Sequence, residues 1–432
     1  MARIRLAYIG GGSTRAPGTL ASFIEQGENF EGSEVVLIDL DEERLGLVQT
    51  IAQKLAVARG LDLTITATTD RRTGLAESDA VLTSFRPGGF EARHLDESIP
   101  LKHRVIGQET QGPGGFFMAL RAITVMKGIV DDIRAVCPRA RIFNYTNPIN
   151  IVSEALTRFT DIPTISLCEG PIYFAEDLAR AADLDPERLD AIMIGLNHGC
   201  WSVRHLYNGE DAIPLIREAF ERKKDDPTVP QPARRMLRLA ARMGAIPADY
   251  FQYYYFREEL LAELQAKPTT RAQDILSWVP DYWRHYREQA EAEIPKLDPE
   301  RSRGGIFEFE LAFDLMDAIY NDRGEVWPVN VPNQGAIADF PDDLVVEVPG
   351  YADANGVTPL AQGQMPRHLV GLVKALGEYQ TLAAETAWNG TRRDGIRTLA
   401  SHPLVLSLEK AEAIYDELAA AHRSHLPERL LA

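Results

Sequence analysis

Cys168 ends the apolar run Thr164-Ile165-Ser166-Leu167, and His198 sits inside Gly195-Leu196-Asn197-His198-Gly199. A thiolate and a neutral imidazole together suit a divalent transition metal. Two such ligands fall short of the four of a structural zinc centre. The pair therefore reads either as an open site completed by substrate oxygens and water, or as a packed cysteine and an ordinary hydrogen-bonded histidine. A second source of chemistry is Pro247-Ala248-Asp249-Tyr250-Phe251-Gln252-Tyr253-Tyr254-Tyr255-Phe256-Arg257. A phenol there can accept a proton only where a nearby cation lowers its pKa from ~10; the plain alternative is aromatic core or interface. Arg93 and Arg303 are candidates for gripping an anionic substituent, with solvated surface arginine as the default for each.

Gly10-Gly11-Gly12-Ser13-Thr14-Arg15 directly follows the first β-rich run and precedes Ala16-Pro17 and a helical pattern. Glycines in a first strand-to-helix turn let backbone approach a pyrophosphate, so Gly10, Gly12, Ser13 and Thr14 are candidate dinucleotide contacts at a helix N-terminus rich in N–H donors. Arg15 takes the place of the third glycine of the dinucleotide fingerprint, which makes the turn alone a weak signal. Asp39 strengthens it. It lies near the end of the second β-rich run, where a carboxylate accepts from ribose hydroxyls and repels a 2′-phosphate, favouring NAD over NADP. Asn147-Pro148 turns the chain at the carboxyl edge of the expected sheet, where an amide can orient a sugar hydroxyl beside a nicotinamide. The glycine loops 86–89 and 107–115 read as connectors, or as a mobile segment able to close over ligands.

These groups need a rigid frame, and the first 170 residues supply its pattern. Runs at 3–9, 34–40, 63–69, 80–85, 141–146 and 164–168 alternate with helical spacing near 17–27, 41–59 and 116–136. That alternation predicts an α/β fold with a Rossmann-type, doubly wound parallel sheet over 1–170. Residues 171–432 form a second α/β unit with strands near 191–207, an exposed loop over 221–235 and amphipathic helices over 275–294 and 404–425. The chain has 432 residues, 45% hydrophobic, and its 46 basic against 63 acidic residues leave a net charge of −17. Such a balance opposes nucleic-acid binding, which needs clustered cations. No run approaches the ~18 apolar residues of a membrane span. The three cysteines, Cys137, Cys168 and Cys200, are too few and too widely spaced for a disulfide framework, and a cytoplasmic setting follows.

Taken together, YIGGGSTR, IPLKHRVIGQETQGPGGF, NYTNPIN, the strand-end cysteine, GLNH, P-x-x-Y-x-x-YYY, RGG, VNVPNQGAI and VVEVP resemble family four of the glycoside hydrolases. The resemblance runs in order from about residue 8 to 350. It implies an NAD- and metal-dependent glycosidase with a lactate/malate dehydrogenase-like architecture, acting on small anionic glycosides, 6-phosphoglucosides foremost, as a homodimer or homotetramer. It further implies that NAD takes hydride from sugar C3 and that a manganese-like ion on Cys168 and His198 stabilises the enediolate. Tyr250 would remove the C2 proton, with Tyr253 and Tyr254 as neighbours. Elimination expels the aglycone, water adds, and hydride returns. Asn147, Arg93, Arg303 and Arg15 are the implied substrate contacts. Glu169, after the metal cysteine, stands where α-specific members carry an acid, and it can protonate a leaving oxygen. Arg15 replaces a common tyrosine, and Glu308 stands where a small hydroxyl is expected. A carboxylate beside a dianion is repulsive, which keeps an α-sulfoquinovoside, with its monoanionic C6, as the alternative. An NAD-dependent sugar dehydrogenase is the alternative from another reaction class.

Overall fold

A computed structural model describes residues 1–302 and 311–432. The six expected strands form as β1 (Arg5–Ile9), β2 (Glu34–Ile38), β3 (Thr64–Thr68), β4 (Ala80–Thr83), β5 (Arg141–Asn144) and β6 (Thr164–Ser166). They pair in parallel in the order β3-β2-β1-β4-β5-β6, the doubly wound dinucleotide-binding arrangement. Along β1, Leu6 and Tyr8 face one core while Ala7 and Ile9 face the other. With helices on both faces, such a strand must be apolar on both sides, which is why its sequence reads as a continuous hydrophobic run.

The second half extends the same sheet. β7 (Leu189–Leu196), β8 (Gly199–Tyr207), β9 (Glu210–Asp211), β10 (Glu325–Pro332), β11 (Val345–Asp353) and β12 (Gly356–Pro359) are added beyond β6. The path runs β6-β10-β11-β7-β8-β9, all antiparallel, with β12 on β11. Both core clusters draw on residues from either side of residue 170. The exposed loop expected over 221–235 is shorter than its polar composition suggests: the helix Ile213–Lys223 precedes it and the helix Gln231–Met243 begins within it. Pro232 at the start of that helix is compatible with its first turn, where an N–H has no partner in any case.

The helix Gly112–Val136 is long and apolar enough to cross a membrane, contrary to the sequence expectation, but 78% of its most apolar window is buried inside the protein. It is a core helix. All three cysteines are free.

Candidate active site

The glycine turn sits at the carboxyl end of β1. Gly10 has φ +100°, and a Cβ there would overlap the Ser84 carbonyl oxygen; one on Gly12 would come within 3.0 Å of the Asp39 side chain. Only glycine fits at position 10, and a side chain at position 12 would have to push Asp39 aside. Gly12 N–H donates to Asp39 Oδ2 at 2.9 Å, so the carboxylate expected to meet the ribose also braces the turn. The Ser13 hydroxyl oxygen is buried without a hydrogen-bond partner, and the Thr14 carbonyl accepts from the Tyr286 hydroxyl at 2.8 Å. An orphaned hydroxyl beside the N-terminus of the helix Ala16–Glu25 fits a phosphate oxygen.

Arg15 turns away from this cradle. Its guanidinium stands 3.8 Å from Glu169 and 5.1 Å over the Tyr145 ring. Glu169 Oε1 is buried and makes no hydrogen bond, as does Asn147 Oδ1 after β5. The edge itself is stiff: Thr83 donates to Asn144 Oδ1 at 2.9 Å, and Asn144 Nδ2 donates to Ser166 at 3.1 Å, linking β4, β5 and β6.

Cys168 follows β6, and His198 occupies the two-residue turn Asn197-His198 that joins β7 to β8. Cys168 Sγ and His198 Nε2 lie 3.7 Å apart. That is less than the sum of ~2.3 Å and ~2.1 Å metal–ligand lengths, so one cation can reach both at a bent angle. The imidazole tautomer follows from its other nitrogen. Gln108 Oε1 accepts from the backbone N–H groups of Thr110 at 2.6 Å and Gln111 at 2.7 Å, so it is an oxygen, and the Thr110 hydroxyl at 3.0 Å must donate to it. Thr110 Oγ1 then accepts from His198 Nδ1–H at 3.1 Å, leaving the Nε2 lone pair facing the sulfur. Burial pushes the His198 imidazole down to about 3, against the pull of Glu109, so it stays neutral as a metal ligand must. Burial, then Glu347 and Glu169, push the Cys168 thiol far above its ordinary range, opposed by Asn197 and by the Gly170 N–H at 3.3 Å. A sulfur crowded by carboxyl groups is a donor set suited to a cation. Among the described residues no cluster of three or more His, Cys, Asp or Glu forms a closed metal site, and an open site is what the pair offers.

The Tyr250 ring stacks on His198 with centroids 3.7 Å apart and planes 6° from parallel. Burial, then Glu109 and Cys168, raise its phenol well above 10, so proton acceptance there requires a cation nearby. Tyr254 is committed elsewhere: its hydroxyl donates to Gln111 Oε1 at 2.6 Å. Burial also pushes Tyr253 up to about 12.

Arg93 is not a solvated surface arginine. It is 5% exposed, donates to Glu97 at 2.6 Å and pairs with Glu109 at 2.8 Å, and Glu109 also pairs with Arg86 at 2.8 Å. Arg93 and Glu109 line a cavity of about 230 Å³ with Arg271, Ile275, Trp278 and Tyr282. A larger cavity, about 410 Å³ between Arg104, Arg257 and Lys410, contains none of these residues. Arg303 and Glu308 lie outside the described residues. The loop 107–115 is closely packed: a Cβ on Gly107 would overlap the Glu97 carbonyl, and Thr110 and Gln111 are buried, Thr110 against His198 and Gln111 against Tyr254. Its glycines serve close packing. Gln108, Glu109 and Thr110 are site residues that composition and spacing do not mark, since the Gly-Gln-Glu-Thr-Gln-Gly run stands out only by its glycines.

Comparison with known proteins agrees with this geometry. The model of "Family 4 glycosyl hydrolase" matches residues 5–184, and that of the family's C-terminal domain matches 193–405. The chain is 35% identical to a "Probable 6-phospho-beta-glucosidase" of Bacillus subtilis (strain 168), over 98% of each. It is similar to a solved 6-phospho-alpha-glucosidase from gut microorganisms in complex with NAD and Mn2+, with a TM-score of 0.85 and 27% identity over 98% of this chain and 99% of that one. It is equally similar to the Thermotoga maritima 6-phospho-beta glucosidase solved with manganese, NAD+ and glucose-6-phosphate, with a TM-score of 0.84 and 28% identity over 98% and 99%. The glycine cradle, the Cys168–His198 pair and the end-to-end likeness lead to one conclusion: this chain belongs to glycosyl hydrolase family 4 and is a glycosidase.

Proposed function

We propose that this chain cleaves glucosides bearing an anionic C6 group, 6-phosphoglucosides foremost, with NAD and a divalent manganese ion retained through each turnover. The carrying observation is that Cys168 and His198 lie 3.7 Å apart, with the Tyr250 ring stacked on His198, at the carboxyl edge of a sheet whose first turn is shaped for a dinucleotide. Solved relatives containing NAD, Mn2+ and glucose-6-phosphate support the same reading. When bound, the dinucleotide supplies reversible hydride acceptance and the cation supplies Lewis acidity.

In this reading residues 1–170 hold NAD through Gly10, Gly12, Ser13, Thr14 and Asp39, and residues 171–432, the substrate- and metal-binding and oligomerisation half, contribute His198, Tyr250 and Arg303 to a site shared with the first half. Cys168 and His198 hold the cation. Tyr250 accepts the proton from sugar C2, and Glu169 donates one to the departing glycosidic oxygen. Asn147 orients a sugar hydroxyl with its otherwise unpartnered oxygen. Arg93, Arg303 and Arg15 serve the anionic substituent. Because Glu109 and Glu97 already neutralise much of the charge of Arg93, its part is to hold a hydrogen-bonding face rather than a free cation. Arg15, beside Glu169, is the one observation that favours a second reading, an α-sulfoquinovoside whose monoanion needs less compensating charge than a phosphate. A homodimer or homotetramer acting in the cytoplasm completes the proposal. Three free cysteines support the compartment, and exposed Leu406 and Leu408 support an interface.

A matched panel tests it: α and β aryl glucosides carrying 6-phosphate, 6-sulfonate or a free 6-hydroxyl, each with and without NAD and Mn2+ under reducing conditions. The 6-phosphates are expected to release aglycone fastest. Equal release from the free 6-hydroxyl compounds would overturn the anionic specificity.

A further inference from the structure

Glu347 is 1% exposed near the start of β11, where it is paired with Gly195 of β7, and among the described residues it has no cationic partner. A buried carboxyl without a cation is costly unless hydrogen-bonded. Here Oε1 accepts from two amides, Asn197 Nδ2 at 2.9 Å and Asn330 Nδ2 at 3.0 Å, and the Cys200 thiol neighbours the same group. One of those amides belongs to the residue before His198. The Asn197 side chain also opposes the rise of the Cys168 thiol. A single side chain therefore adjoins His198 along the chain and takes its orientation from Glu347.

The turn needs such a hold. His198 sits at φ +61°, a region that non-glycine residues avoid, and it follows Asn197 in a hairpin connection. Nothing covalent prevents the pair from relaxing to another turn and swinging the imidazole away. Glu347 lies one strand over from the turn, fixed by pairing on β11 and braced from the far side by Asn330 of β10. We infer that Glu347, with Asn330, is a positioning residue that sets the Asn197 amide and thereby holds the His198 turn at metal-binding distance from Cys168. The inference rests on the proposed use of a divalent metal.

The test compares Mn2+ affinity by electron paramagnetic resonance, at saturating NAD, in the full-length wild-type protein and in Glu347→Gln, Glu347→Leu and Asn197→Ala. Gln keeps an oxygen acceptor for both amides; Leu removes it at similar volume. Loss of an outer-shell partner weakens metal binding by roughly 10- to 100-fold. Glu347→Leu and Asn197→Ala are expected to fall in that range with NAD affinity unchanged, and Glu347→Gln to stay within about threefold of wild type. Wild-type affinity in Glu347→Leu or in Asn197→Ala, or a loss in Glu347→Gln as large as in Glu347→Leu, would overturn the inference. Should Glu347→Leu fail to fold, Asn197→Ala carries the decision, since it leaves Glu347 and Asn330 in place. A wild-type protein that binds no Mn2+ would instead sink the functional reading.

Discussion

Replacing Thr110 by Val removes one oxygen and almost no volume, and its effect on metal binding follows from proton counting. In the native site Thr110 has a single hydroxyl proton, given to Gln108 Oε1 at 3.0 Å, so its oxygen is free to accept from His198 Nδ1–H at 3.1 Å. His198 is 7% exposed, and Thr110 5%. In the Val variant the Nδ1–H tautomer has a buried donor with no acceptor, which costs about 1–3 kcal/mol. The Nε2–H tautomer avoids that cost and places a proton where the metal must bind. The metal-ready fraction should therefore fall roughly 5- to 150-fold, and apparent Mn2+ affinity with it. Thr110→Ser keeps the oxygen and should restore binding to within a few fold. The assay is a Mn2+ titration followed by electron paramagnetic resonance at fixed NAD, with circular dichroism as the control for folding. A folded Thr110→Val protein that binds Mn2+ within twofold of wild type would refute the tautomer argument.

Gly10→Ala should abolish dinucleotide binding and destabilise the fold by roughly 1–3 kcal/mol from the positive φ alone, before the overlap with the Ser84 carbonyl is added, as read by urea unfolding and by NADH fluorescence on titration. Asp39→Ala removes both the ribose acceptor and the brace on Gly12 N–H, so NAD affinity should fall by about tenfold while NADP loses less, measured by parallel titrations of the two dinucleotides. Burial raises Glu347 from 4.5 to about 7 despite its Asn197 and Asn330 donors. The folded state therefore binds more protons than the unfolded one between those values, and stability is lost as pH rises from 4.5 to 7. Glu347→Gln should remove that slope, gaining up to about 3 kcal/mol relative to wild type at pH 8 compared with pH 4 in urea unfolding. An unchanged pH profile in the variant would count against it.

Much of the frame is visible in the chain because its strands are buried on both faces and therefore read as apolar runs bounded by turns. Asp39, Cys168 and His198 are visible for a related reason: each lies at or just past the end of such a run, at an edge or turn set by local pattern. The partners that give these residues their chemistry are not local. Thr110 meets His198 across 88 positions, and Glu347 meets Asn197 across 150. No periodicity links them. The strands β10 and β11 were also hidden. Pro328, Pro332 and Pro349 argue against central strands, which need ladder donors, and yet the two strands pair with each other along the whole of β10, each meeting β6 or β7 at one residue pair. The buried setting of Arg93 is hidden for the same reason, since Glu109, which pairs with it, comes from the loop that precedes the next helix.

The most direct test of the central claim is aglycone release from an aryl 6-phosphoglucoside in deuterated water, following NADH absorbance and the isotope content of the product sugar together. The account predicts release that requires both NAD and Mn2+, no net NADH, and deuterium at C2, because the proton taken at Tyr250 is returned from solvent. Release that is indifferent to NAD, or a product without deuterium at C2, would contradict it and leave an ordinary hydrolysis; NADH accumulating without aglycone would leave a dehydrogenase.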